Sequence, residues 1–283
     1  MTTYPLHFAR LVKIEHTVFA LPFAYVGAFL AVGDVPGAAD LLWVTVAMAG
    51  ARSLAMALNR LIDTEIDSRN PRTALRELPG GRLTRAQVSG FCVVSLAVFL
   101  VAVWQLDPLV RLLWPIPVVA FVVYPYLKRF TWLGHLWLGA VDGLAPVGGW
   151  VALTGELPWE AWALGGAVAC WVAGFDLFYA LLDLDVDRRE GLHSWATRWG
   201  VEGAFTGARA LHVLTLLLFA VAGLGLDVGV LYWLGVAAVA GLLLYEHGIV
   251  RPNDLRRLDA AFFTVNGVIS VLFFLFVLAD VSL

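Results

Sequence analysis

Stretches of about 18–22 apolar residues, long enough for a helix to cross roughly 30 Å of hydrocarbon, recur along this chain between short polar breaks. Nothing constrains its fold more. A span of that kind bonds every backbone N–H and C=O within itself, the condition a lipid interior imposes on a helix that crosses it. About nine such runs can be marked by length and apolarity: Thr17–Val32, Ala39–Leu61, Ala86–Trp104, Leu109–Leu127, Gly134–Leu153, Trp159–Leu182, Gly203–Gly225, Val228–His247 and Ala260–Ala279. The chain is 60% hydrophobic and 14% charged, against roughly 45–50% and about 25% in soluble domains. It therefore reads as an all-α, polytopic membrane protein, with residues 1–283 forming a single integral membrane domain. No basic stripe stands out beyond the inter-span loops, so a nucleic-acid partner is not expected. Cys92 and Cys170 fall inside apolar runs without partner spacing and read as small buried hydrophobes. The first run lacks a small-residue cleavage site, so no cleavable signal peptide is expected.

The loops alternate in character. "GDVPGAAD", "QLDP", "TGELPWE" and "LGLD" are poor in Lys and Arg, whereas the N-terminus, "SRNPRTALRELPGGRLTR", "KRF", "DRREGLHSWATRWG" and "RPNDLRR" are rich in them. By the positive-inside rule this pattern places the N-terminus and the basic loops in the cytoplasm, in a multi-pass protein of the cell (inner) membrane. Trp104, Trp114, Trp159, Trp195 and Trp199 sit near expected span ends, as interfacial anchors do.

Two of the basic loops follow acidic span ends that match each other. Aligning "NRLIDTEIDSR" with "YALLDLDVDRR" sets Asp63 over Asp183, Glu65 over Asp185, Asp67 over Asp187 and Arg69 over Arg189. Membrane proteins often build a working site where internal repeats meet. Residues four apart lie along one helix face, each about 6 Å beyond the last, so Asn59, Asp63 and Asp67 share a face, as do Tyr179, Asp183 and Asp187. Glu65 falls off it. Like charges so spaced repel, and acids near a membrane interior are costly unless paired. A single such acid pair could be solvated or matched by arginine. Two aligned copies joined to basic loops point instead to a divalent cation. Oxygen-only donors suit hard Mg²⁺, which keeps several waters and completes its shell with substrate phosphate. Arg72, Arg76, Lys128, Arg129, Arg188, Arg189 and Arg198 are then candidates to hold a diphosphate. Arg52, two turns before Asn59 on the same face and inside a span, is a further one. Lys13, Glu15 and His16 at the entry to the first span fit substrate contact or a capping and snorkelling role equally.

Together with "RNPRT", "YPYLKRFTWL", "APVGGW" and "DRREGLHS", the paired acidic motifs resemble those of the UbiA superfamily of intramembrane prenyltransferases over nearly the whole chain. "NRLIDTEIDSRNPRT" and "REGLHS" look most like the members of the futalosine route to menaquinone, often described as 4-hydroxybenzoate polyprenyltransferase-like. The resemblance implies about nine helices ringed around a central cavity with cytoplasmic caps. It also implies transfer of a polyprenyl chain from an allylic diphosphate to an aromatic acceptor of the hydroxynaphthoate or 4-hydroxybenzoate type. Carried over, Asn59, Asp63 and Asp67 would hold one Mg²⁺ and Asp183 and Asp187 a second, making these acids the catalytic set. Lys128 and Arg72 would contact the diphosphate, and Tyr179 would line the pocket beside Asn59. Two departures touch the acceptor more than the metals: Arg60 stands where many members have Asp, and Arg76-Glu77 where many have Arg-Pro.

An ion-coupled transporter would instead show Gly/Pro-broken spans at matching places in the two halves. A phospholipid head-group transferase would show an Asp-Gly step, but Asp67 is followed by Ser68. Another member of the same superfamily, such as a haem farnesyltransferase or a chlorophyll synthase, stays open.

Overall fold

The computed structural model describes residues 4–12, 17–250, 258 and 264–283. Lys13, Glu15 and His16 lie outside them, as does the start of the last expected span. Among the described residues the elements are α1 (Tyr4–Leu11), α2 (Thr17–Val32), α3 (Ala38–Ile62), α4 (Thr64–Arg69), α5 (Arg85–Val103), α6 (Pro108–Leu113), α7 (Pro115–Leu127), α8 (Gly134–Thr154), α9 (Trp159–Tyr179), α10 (Leu184–Arg189), α11 (Trp195–Gly225), α12 (Val230–Ile249) and α13 (Asn266–Ser282). Seven helices are long and apolar enough to cross a membrane, and two shorter apolar ones, Ala20–Val32 and Asn266–Ser282, take the first and last expected positions. Side chains such as Leu42, Val93, Leu112, Leu224 and Leu244 stand more than half exposed on the outer faces. In water that would be costly, at about 25 cal/mol per Å²; against lipid tails it is not.

Helix ends follow local chemistry. Thr84 and Gln87 form a reciprocal capping box that starts α5, and Asp107 with Pro108 starts α6. Pro115 has no N–H to continue α6, and the fourth span accordingly divides at Trp114. The seventh span begins at Trp195 rather than at Gly203, because Ser194 and Thr197 form another capping box. The extra turn kinks at Gly200, whose φ of 71° is the left-handed region glycine tolerates. Asp280 of α13 accepts from the backbone N–H groups of Gly229 and Leu231 at 2.7 and 3.0 Å, so the start of α12 is capped by a neighbouring helix.

The bundle packs α8 against α9 and α2, α9 against α11, α3 against α5, and α13 against α2 and α12. Close approach of α8 and α9 depends on glycine. A Cβ on Gly139 would lie 2.2 Å from the Ala169 carbonyl oxygen, and one on Gly143 would lie 2.4 Å from that of Gly165. Small residues at this spacing let membrane helices pack backbone to backbone. Behind the cavity, Phe23, Trp171, Phe219, Tyr232 and Phe273 from α2, α9, α11, α12 and α13 form the main aromatic core. Cys92 is buried, Cys170 partly so, and both are free thiols.

Candidate active site

A cavity of about 530 Å³ runs between α2, α3 and α5–α9. Its body is apolar, and one end is crowded with charge. That end is built from two segments of the same design. Helix α3 ends at Ile62 and α4 starts at Thr64, with Asp63 as the bend between them. Helix α9 ends at Tyr179, passes through a 3₁₀ turn over Ala180–Asp183, and gives way to α10 at Leu184, with Asp183 again at the bend. The expected continuous helix is thus bent at the middle acid of each motif. Backbone bonding still carries through the first, since Asp63 N donates to Asn59 O at 3.0 Å and Asp67 N to Asp63 O at 2.8 Å. As a result Asn59, Asp63, Asp67, Tyr179, Asp183 and Asp187 all line the cavity. Glu65 and Asp185 point outward and are exposed.

Three of the four acids meet bases. Lys128 Nζ lies 2.7 Å from Asp63 Oδ2, with Arg129 at 3.5 Å from Oδ1. Arg76 Nη1 donates to both oxygens of Asp67 at 3.0 and 2.9 Å. Arg72 donates from Nε to Asp183 Oδ1 at 2.8 Å and from Nη2 to Oδ2, while Asn70 reaches Oδ1 at 2.7 Å. The Arg72 Nη1 also donates to the Tyr179 hydroxyl at 2.8 Å. Among the described residues, the Asp187 carboxylate has no such partner. Burial pushes the Asp63 carboxyl above its ordinary range, and the Lys128 ammonium opposes that shift. Residues 70–84 fold over this end, with Asn70, Thr73 and Glu77 buried. Arg69 bonds Glu190 at 3.1 Å, which ties the segments after the two motifs together, and His193 N donates to Lys128 O at 2.7 Å, which ties the second of them to the end of α7.

Several placements differ from the sequence expectation. Arg129 and Arg189 are exposed and do not line the cavity. Arg188 is exposed on α10 and does not line the cavity, because α10 turns that face outward. Arg198 stands over the rings of Trp132 and Trp199, with its charge centre 5.6 and 5.1 Å from them, outside the cavity. Arg52 does line it, yet its Nη1 is engaged at 2.9 Å by Asp142 of α8, about 10 Å along the helix axis from Asn59. Trp114 lines the cavity rather than serving only as a surface anchor. Residues not expected in the site also converge here: Arg60, Asn70, Tyr124, His135, Asp142 and Asp176. Of these, Asp142, Asp176 and His135 carried a usable signal, since each is an ionisable group inside an apolar span.

Among the described residues no three carboxylates, imidazoles or thiols are drawn together as ion ligands; the acids hold bases instead. The donor set still fits a hard divalent cation. It is all oxygen, it comes from two facing segments, and Asp63 Oδ1 is a buried oxygen without a hydrogen bond.

A multi-pass helix bundle with an apolar cavity beneath a mouth of carboxylates and bases is the architecture of an intramembrane enzyme for an amphiphile with an anionic head. More particularly, the chain belongs to the UbiA prenyltransferase family, whose pattern matches residues 20–276, and it is a prenyl-transferring enzyme. It is 30% identical, over 94% of each chain, to the 4-hydroxybenzoate octaprenyltransferase of Shewanella frigidimarina. A similar protein of that name from Shewanella sediminis is 30% identical over 92% of this chain and 91% of its own. Among solved structures, the apo form of a UbiA homolog from Aeropyrum pernix matches with a TM-score of 0.85 and 31% identity, covering 94% of this chain and 98% of that one. A UbiA homolog from Archaeoglobus fulgidus bound to DMAPP and Mg²⁺ shares the fold at a TM-score of 0.78 and 19% identity, over 96% and 98% of the two chains.

Proposed function

We propose that this protein transfers a polyprenyl group from an allylic diphosphate to a hydroxylated aromatic ring, with Mg²⁺ as cofactor, at a mouth facing the cytoplasm. The observation that carries this reading is the mouth itself, where four carboxylates and the bases Arg72, Arg76 and Lys128 open directly onto an apolar cavity. A prenyl diphosphate needs both parts, one for its charge and one for its tail. The basic loops flank this end, which supports the cytoplasmic orientation.

Asn59, Asp63 and Asp67 would hold one Mg²⁺, and Asp183 and Asp187 a second. Bound Mg²⁺ supplies fixed positive charge that neutralises the diphosphate as it leaves. The acids would then release Lys128, Arg72 and Arg76, which turn to the phosphate oxygens and keep the site's charges matched. As the allylic C–O bond breaks, these bases stabilise the charge growing on the diphosphate. Aromatic faces in the wall, among them Tyr124, Tyr179 and Phe175, stabilise the charge growing on the prenyl carbon. The electron-rich acceptor ring attacks that carbon, and the ring proton is lost.

The names of the relatives favour a 4-hydroxybenzoate-type acceptor, as in ubiquinone biosynthesis. A hydroxynaphthoate, as in menaquinone biosynthesis, is the second reading, supported by the motifs "NRLIDTEIDSRNPRT" and "REGLHS". Purified protein assayed with Mg²⁺ over a matrix of hydroxybenzoates and hydroxynaphthoates against prenyl chain lengths tests both. Prenylated benzoate with little naphthoate product supports the first reading, and the reverse supports the second.

A further inference from the structure

Below the charged mouth, His135 in the first turn of α8 meets Asp176 of α9, with Nδ1 2.7 Å from Oδ2. Both side chains line the cavity and are mostly buried, at 13% and 15% exposure. The pairing follows from the glycine-mediated contact of the same two helices through Gly139 and Gly143. It also has a defined depth. Asp176 sits three residues before Tyr179 and seven before Asp183, so by helical rise it lies about 10 Å from the acid that marks the diphosphate end. That is where a ring attacking the first carbon of a prenyl chain has to lie.

A carboxylate only accepts, so opposite Asp176 Nδ1 carries the hydrogen, and in the neutral form of the ring Nε2 is an acceptor. Nε2 bonds no other described side chain and is not sealed from the cavity. The pair stands near enough to the mouth for the His135 ring to act electrostatically on Asp187, while the bases that open onto the cavity at the mouth are Arg72, Arg76 and Lys128. The other ion pair in the wall, Arg52 with Asp142, contains no imidazole.

We propose that His135, oriented by Asp176, takes the hydroxyl proton of the aromatic acceptor as its ring attacks the prenyl carbon. This rests on the transferase reading above. The O–H bond breaks, its proton moves to Nε2, and the oxygen's electron pair raises the nucleophilicity of the ring. The new C–C bond forms as the C–O bond to diphosphate breaks. The ring C–H proton then leaves to the released diphosphate, and Nε2 returns its proton to the oxygen. One proton and one diphosphate are released per product. His135 is the catalytic residue of this step, and Asp176 is a positioning residue that fixes its tautomer.

The test compares a hydroxybenzoate with a ring-fluorinated analogue whose phenol is more acidic and already ionised at the assay pH. Both are assayed in the same preparation, so a partly folded variant leaves their ratio unchanged. His135→Gln is expected to cut the rate with the ordinary phenol about 100-fold relative to wild type, and the rate with the acidic phenol by less than about tenfold. Asp176→Asn is expected to move the ratio in the same direction by a smaller factor. An equal loss with both acceptors for His135→Gln overturns the proton-transfer role, and a wild-type ratio for Asp176→Asn overturns the orienting role. Absence of transfer by the wild-type chain to any phenol is a different result, because it overturns the transferase reading and this inference with it.

Discussion

Arg72, carried by the loop after the first acidic segment, donates from Nε to Oδ1 of Asp183 in the second segment at 2.8 Å. One side chain thus joins the two halves of the mouth; Asn70 donates to the same Asp183 oxygen, and the Tyr179 hydroxyl accepts from Arg72. On the account above, this contact is the resting partner of two groups that later part, the arginine to phosphate and the aspartate to cation. Arg72→Ala is therefore expected to lower kcat/KM for the allylic diphosphate by about 10²–10³-fold, the range typical of a lost electrostatic contact in a transition state. Steady-state kinetics with the acceptor saturating will measure it.

The acids divide by the face they occupy. Asp63→Asn and Asp183→Asn are each expected to cut turnover by at least about 10²-fold while keeping the helical spectrum. Glu65→Gln and Asp185→Asn remove equal charge from exposed neighbours and are expected to stay within about twofold, as distant surface changes do. Near wild-type turnover in Asp63→Asn or Asp183→Asn removes that residue from the site.

The bases divide in the same way. Lys128→Ala should raise KM for the diphosphate and lower kcat, because Lys128 lines the mouth. Arg188→Ala and Arg198→Ala should leave both constants unchanged, since neither side chain reaches the cavity. Equal losses in all three variants would return Arg188 and Arg198 to the binding set.

Arg52 and Asp142 test a different term. Arg52→Leu leaves the Asp142 carboxylate in the wall without its base, which costs on the order of 3 kcal/mol when the site is well shielded from water. Arg52→Leu combined with Asp142→Leu should recover most of the lost unfolding temperature in detergent. Equal instability of the single and double variants would show that the pair contributes through packing rather than charge.

Much of this arrangement is readable in the linear chain, for reasons that differ by residue. The spans are readable because lipid demands long apolar helices, and that requirement leaves its mark on every stretch. The pairing of Asp63 with Asp183 and of Asp67 with Asp187 is readable because the two segments repeat a spacing, and helical period sends Glu65 and Asp185 to the other side. The bends at Asp63 and Asp183 are not, since neither site carries a proline or glycine to announce them. Arg188 and Arg198 line no part of the cavity, and nothing in the chain sets them apart, because all the loops of the Lys- and Arg-rich set are basic and charge alone does not separate a ligand from a topological signal. His135 and Asp176 stand far apart in sequence, and only the packing of α8 on α9 makes them neighbours. Each was still an ionisable group inside an apolar run, the same signal that singled out Arg52.

On the proposed function, the acidic mouth and the apolar cavity together perform prenyl transfer. The most direct measurement follows pyrophosphate and prenylated aromatic product together, with purified protein in detergent, an allylic diphosphate and a hydroxylated aromatic acid, with and without Mg²⁺. Equal amounts of the two products are expected, both abolished by chelation of the metal. No product with any acceptor, together with ion-driven solute uptake by the same protein in proteoliposomes, would contradict it.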